Sequence, residues 1–423
     1  MMRYSRIILV LILAVSSCKE DTRVPYEPFK RIIDRNYEFS NGVMPRNVLE
    51  SYLSRSITQC EFLMPDKYLE ITNRYREDDV RMLKNIGAKF IGRSIYSFNT
   101  NTFANFNQPD FWEYAKSKTE EMHDFDPDVI FQGGIFEIVT DKCSTIPVPA
   151  WVFEAFDLPV ETRNFEYEKM LNRGGRYQNY WGPNQSVPDI TQLETRLFFY
   201  FTAVKFMQVG VESLHFGQAE LISMSSKENN ENAWVELLGK IREAASTETR
   251  RGMVICDAHL PEGGFVVDGK LLFDFVAFTL VPKENLDVPQ NCMLEKYRCN
   301  WALYGRTKGG ITPSGWSCDK ALLKVEFDNF GISDHPGIAK DCDCVWGYDE
   351  ITWFSRQPEK YRNEFLKYAN AWIENNDPNC FLEMPGNRIT TGGRTQFYRA
   401  NTASEACPYG YNQEETIKEI WSE

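Results

Sequence analysis

The chain has 423 residues, 43% of them hydrophobic and 14% aromatic, with a formal net charge of −13. That apolar content is ample for a packed core and excludes global disorder. The acidic balance leaves no basic stripe, which excludes nucleic acid as a partner.

At the N-terminus a short basic region, 1–6, precedes an apolar run, 7–15, that is too short to span a bilayer. Ser16 and Ser17 then stand before Cys18. This is the pattern of a signal peptide, 1–17, rather than of a membrane helix. Small residues directly before a cysteine resemble a bacterial lipobox, with Val15 where Leu is usual. Lys19-Glu20-Asp21 resembles the acidic export tag of Bacteroidota surface lipoproteins. The resemblance implies lipidation (palmitate) at Cys18, anchorage in the outer membrane and exposure at the cell surface. Residues 18–45, polar and carrying Pro25 and Pro28, then serve as a tether.

Beyond Cys18, ten of the 11 cysteines remain, an even number that in an oxidising compartment favours disulfides. Five of them, Cys292, Cys299, Cys318, Cys342 and Cys344, fall in one loop-rich stretch. Zinc is the alternative there, but Cys342-Asp343-Cys344 has a single residue between its thiols and no paired histidines follow. No metal is expected. No cofactor is expected either: Gly263-Gly264 lacks the Lys-Ser/Thr of a phosphate loop, and no Gly-x-Ser-x-Gly elbow occurs.

Along the chain, helix and strand patterns alternate. Residues 56–63 read as a first strand; 78–87 as a helix with acids in its first turn and Gly87 at its end; 89–96 as a second strand. A helix over 110–123 leads to a third strand over 128–134. The stretch 145–188, with five prolines and the aromatics Trp151, Phe153, Phe156, Tyr177, Tyr180 and Trp181, interrupts the rhythm. It is read as an insertion that is either a lid or binding wall over the mouth, or a self-packed structural element. A helix over 189–208 precedes a fourth strand from Gly210 that breaks at Gly217 into a polar tip, His215, Gln218 and Glu220. A helix over 232–245 leads to a fifth strand, 252–257, tipped by Asp257 and His259. Asp268-Gly269 signals a hairpin in place of the next helix. Strand six lies within 271–280, strand seven is 320–328, a helix covers 357–374 and strand eight is 380–384. Eight strands, five of them led by a helix, predict an α/β fold, a (β/α)8 barrel over 46–390, with 391–423 as a tail packed on it. Polar residues at the C-terminal strand ends, Arg93, Gln132, His215, Gln218, Asp257 and His259, are then candidates to bind hydroxyls, and Trp181 of the insertion is a further substrate-binding candidate.

Strand seven alternates cleanly: Leu323, Val325 and Phe327 on one face, Lys324, Glu326 and Asp328 on the other. The charged set must enter the lumen, where a Lys324–Glu326 ion pair is one reading and a catalytic carboxylate the other. Acids ending strands four and seven resemble the layout of a large group of retaining glycoside hydrolases. The resemblance implies Glu220 as acid/base and Glu326 as nucleophile, with Asp328 its alternative; Ala219 stands where the family usually has Asn. Two such groups work as one protonated and one ionised carboxyl flanking the glycosidic bond. The function expected is glycan hydrolysis; the alternatives are a glycan-binding or a structural lipoprotein of the envelope.

Overall fold

The computed structural model describes residues 31–69, 75–98, 100–225, 230–285, 288, 291–296, 302–329, 349–390 and 396–422. The lipobox, Cys299, Cys342 and Cys344 lie outside the described residues.

Eight parallel strands form the closed sheet: β1 (Ser56–Gln59), β2 (Phe90–Tyr96), β3 (Ile130–Gly134), β4 (Ser213–Gln218), β5 (Ile255–His259), β6 (Phe275–Thr279), β7 (Leu323–Glu326) and β8 (Cys380–Thr390). They pair in chain order, and β1 closes on β8 with Ile57 opposite Met384. This is the (β/α)8 barrel the alternation predicts. β5 extends to His259, so this histidine lies on the strand. β8 runs past the expected end at Met384 to Thr390, which brings Asn387 and Arg388 into the barrel, and an antiparallel β9 (Gln396–Arg399) pairs with its last residues.

The helices follow local rules. α1 (Arg46–Leu53) precedes the barrel, and α2 (Arg76–Ile86) carries Glu77, Asp78 and Asp79 in its first turn, against the positive end of its dipole. It stops at Gly87, whose φ of +69° suits a residue without a Cβ and whose N–H donates to Leu83 O at 3.1 Å. α3 (Pro109–Phe125) and α4 (Leu193–Gln208) follow; α4 is apolar nearly all round and is buried between the barrel and the 145–188 insertion. No helix lies between β5 and β6; a hairpin, Val266–Val267 with Lys270–Leu271, takes its place. α5 (Asn230–Glu248), α6 (Glu350–Arg356), α7 (Glu359–Asn376) and α8 (Glu414–Ser422) complete the outer layer. α8 is held to α2 where Arg81 donates to both oxygens of Glu414 at 2.7 and 2.8 Å.

Below the strands, Val48, Leu49, Tyr52 and Leu53 of α1 pack on the inward side chains Phe90, Ile130, Ile255, Phe275, Leu322 and Phe381. This apolar plug shuts the N-terminal end, leaving the C-terminal mouth as the open end. Glu212, at the base of β4, is buried and satisfied from this end by Arg250 and Arg251. The disulfide framework expected from the cysteine count is not formed among the described residues: Cys60, Cys143, Cys256, Cys292, Cys318, Cys380 and Cys407 are free thiols. Packing supplies their surroundings instead; Cys143, Cys256 and Cys380 are fully buried.

Candidate functional site

Above the apolar plug the lumen turns polar. Lys324 does not pair with Glu326 as its position on β7 suggests: its Nζ lies 2.7 Å from Glu383 Oε2 on β8 and 5.2 Å from the Phe90 ring centroid. The neighbouring strand brings Glu383 within reach, and Gly92 leaves the room, since a Cβ there would stand 2.1 Å from Glu383 Oε1. Burial pushes the Glu383 carboxyl up to about 7 against the pull of Lys324. Beside this pair, Gln132 Nε2 donates to Asp257 Oδ1 at 2.6 Å, and His215 Nδ1 lies 2.7 Å from Asp257 Oδ2. Desolvation likewise raises Asp257 to about 7 and drives His215 well below its usual value.

The next layer is built by irregular backbone. The β2–β3 register jumps between Ile91 and Ile95, and Arg93 within the jump has φ +53°. Glu61, just past β1, has φ +62°, and its N–H donates to Arg93 O at 3.3 Å. Two adjoining non-glycine residues in the left-handed region cost roughly 1–3 kcal/mol each, and such strain concentrates at functional sites. The bulge turns Arg93 inward, where it donates to Glu326 Oε2 at 3.0 Å and Oε1 at 2.5 Å. His259 Nε2 lies 2.9 Å from Glu326 Oε1, Arg388 Nη1 donates to Oε2 at 3.2 Å, and Arg388 Nη2 donates to Asp328 Oδ1. Burial alone raises both carboxyls. Against it, Arg93, the His259 hydrogen bond and Arg388 hold Glu326 well below the carboxylate range, and Arg93 and Arg388 hold Asp328 low.

Over this layer opens a pocket of about 360 Å³. Tyr96, Phe98, Phe136 and Trp181 form its aromatic wall, with Phe98 5.6 Å from Phe136 and 5.8 Å from Trp181 between ring centroids. Glu61, Glu137 and Asp328 supply carboxylates, and Arg93, Arg388, His215 and His259 reach it from the strands. Glu137 accepts from Gln218 N at 2.9 Å and Nε2 at 2.8 Å, while its carbonyl accepts from Trp181 Nε1 at 2.8 Å. The left-handed Gly217 (φ +49°) makes this possible, because a Cβ there would stand 2.0 Å from Glu137 Oε2. The 145–188 insertion meets both the outer helix layer and the pocket. Trp151 packs on Phe201 of α4, and Trp181 walls the pocket.

Of the residues singled out in the sequence, Arg93, Trp181, His215, Gln218, His259 and Asp328 line the pocket. Gln132 and Asp257 stand just beneath it, bonded to each other, and Glu326 lies buried under Asp328. Glu220 is not among the lining residues; it sits on a one-turn helix, where its Oε1 accepts from Glu262 N at 3.1 Å. Sequence reasoning missed Glu61, Glu137 and Arg388. Glu61 was visible as an acid inside an apolar run, Cys60-Glu61-Phe62, and Arg388 only as a residue beyond the predicted end of β8.

Among the described residues, the donor atoms of His215, His259 and Glu326 lie within 4.8 Å of one another, the composition of a metal site. Both Glu326 oxygens, however, already accept from Arg93, and from His259 and Arg388 in addition. A cation would have to displace buried ion pairs to reach them.

No protein-family model matches the chain, and no curated protein does. Some solved structures are similar to the chain at low likeness. A debranching enzyme of Nostoc punctiforme is 12% identical, TM-score 0.34, over 54% of this chain and 52% of its own, so the chain spans about half that enzyme's length. Amy13B of Eubacterium rectale is 10% identical, TM-score 0.39, over 82% of this chain and 84% of its own. The GH27 β-L-arabinopyranosidase of Geobacillus stearothermophilus is 9% identical, TM-score 0.29, over 49% of each chain. Likenesses this low bear on neither the fold nor the function of this chain.

Proposed function

We propose that the protein is a glycoside hydrolase that seats a sugar unit in the aromatic-walled pocket. Asp328 is the ionised carboxylate of the pair and Glu61 its proton-donating partner. The observation that carries this reading is the position of Asp328, held ionised by Arg93 and Arg388, on the wall of a pocket faced by Tyr96, Phe98, Phe136 and Trp181. Glycosidic cleavage needs an ionised carboxylate and a protonated one, and aromatic faces are suited to the apolar side of a sugar ring. In the retaining form, Asp328 Oδ attacks the anomeric carbon while Glu61 protonates the departing oxygen; water deprotonated by Glu61 then displaces Asp328. Glu61 takes the place expected of Glu220 because it lines the pocket on the far side of Arg388, the strand order being β7, β8, β1. Glu326 then serves as the buried countercharge that fixes Arg93 and Arg388.

The test is a screen of aryl glycosides followed by Asp328→Asn, Glu61→Gln and Glu220→Gln. Loss of turnover in the first two supports the assignment. Loss in Glu220→Gln with Glu61→Gln active returns the acid/base role to Glu220. A second reading, glycan binding without hydrolysis, is favoured by one observation, the direct ion pair of Asp328 with Arg388, which a nucleophile would have to loosen. Sugar affinity with no cleavage of any glycoside would establish it. We further propose, from the lipobox-like Cys18, that the protein acts at the outer-membrane surface on a lipid anchor.

A further inference from the structure

The floor of the pocket holds a chain of hydrogen bonds whose direction is fixed at one end. The backbone N–H of Arg93 can only donate, and it meets Gln132 Oε1 at 3.2 Å. The other end of that amide, Nε2, therefore donates to Asp257 Oδ1. Asp257 Oδ2 in turn faces His215 Nδ1 at 2.7 Å, so an ionised Asp257 takes the ring's proton on Nδ1. His215 Nε2 is left bare. It is buried, the His215 side chain being 1% exposed, it has no hydrogen-bond partner, and the residue lines the pocket.

From this relay we infer that His215 Nε2 is a fixed hydrogen-bond acceptor at the pocket floor that receives an uncharged donor of the ligand, a sugar hydroxyl. The inference rests on the glycan reading and adds to it which ligand group is recognised and in which direction. A buried acceptor without a donor costs about 1–3 kcal/mol, a cost that a matching donor on the ligand removes. The same lone pair is suited to a metal ion, but the neighbouring donors do not complete a site. His259 Nε2 sits 2.9 Å from Glu326 Oε1, and an ionised carboxylate only accepts, so that nitrogen carries a proton. Glu326 itself is engaged by both guanidinium groups.

The relay also dictates its own test. In Asp257→Asn the amide oxygen must face the Gln132 donor, so its NH2 faces His215 Nδ1 and forces the proton onto Nε2. The shape is kept and the acceptor becomes a donor. Nitrogen-15 NMR of the intact protein at pH 8, above the value of about 7 to which burial brings Asp257, reads both states. Wild type should show His215 protonated on Nδ1 alone, and Asp257→Asn on Nε2 alone. Titration with methyl glycosides of glucose, galactose, mannose and N-acetylglucosamine should move the wild-type Nε2 resonance toward that of a protonated nitrogen. Affinity should fall about tenfold or more in His215→Phe and Asp257→Asn. A protonated Nε2 in wild type overturns the inference, as does a glycoside bound equally by wild type and both variants. Zinc chloride that binds stoichiometrically and shifts Nε2 replaces it with a metal site. If wild type binds none of the four glycosides, the glycan reading fails together with it.

Discussion

Arg93 and Glu326, 233 residues apart in the chain, meet in a two-point ion pair at the top of the barrel lumen, at 3.0 and 2.5 Å. Arg93 reaches it from a left-handed backbone conformation in a bulge, while Glu326 comes from a regular strand. The strain on one side is offset by the pair it creates. Removing one partner leaves a buried charge uncompensated. Arg93→Ala should lower unfolding stability by about 3–5 kcal/mol, read as a drop in urea midpoint. Arg93→Met, similar in length, should behave alike, because the lost charge rather than the lost volume is responsible. A change below about 1 kcal/mol in both would mean that the pair is dispensable.

Acid should destabilise the protein through Glu326. Its folded pKa lies well below the ordinary 4.5, so the unfolded chain binds the proton first as pH falls. The stabilisation is complete above 4.5 and fades as pH drops toward the folded value. Urea midpoints from pH 7 to 3 should show that decline in wild type and a shallower one in Glu326→Gln.

Glu383 should act with the opposite sign. Its folded value of about 7 stands above the ordinary 4.5, so the folded state holds the proton longer. Stability from this group is present below 4.5 and is lost as pH rises through 7. Glu383→Gln should flatten the decline between pH 5 and 8; an unchanged profile would place the ionised Glu383–Lys324 pair at neutral pH throughout.

Denatured without reductant, the protein should react with a thiol reagent at no fewer than seven cysteines, the seven that are free thiols in the fold. Labelling of fewer than seven would restore the disulfide framework expected from the even count.

For the anchor, growth of cells expressing the protein with labelled palmitate should label it, and Cys18→Ala should abolish the label and release the protein from the membrane fraction. A Cys18→Ala protein that stays with the membrane would sink the lipoprotein proposal.

The order of helices and strands was written in the sequence because its signals are local: acids and Gly87 at the ends of α2, Asp268-Gly269 at the hairpin, and the two-residue alternation of β7. Spread along eight strands, such local signals specify the barrel, and with it the mouth at which Arg93, His215, His259 and Asp328 gather. Which groups pair there was decided only by the closed sheet. Lys324 and Glu326 share a face two residues apart, yet Lys324 turns to Glu383 across the β7–β8 register and Glu326 to Arg93 and Arg388. Bulges decided the rest: they are register events between strands, so no single strand's pattern records that Arg93 turns inward or that β8 continues to Arg388. Glu61 and Glu137 reach the pocket through left-handed backbone at Glu61 and Gly217, conformations that follow from neighbours distant in sequence.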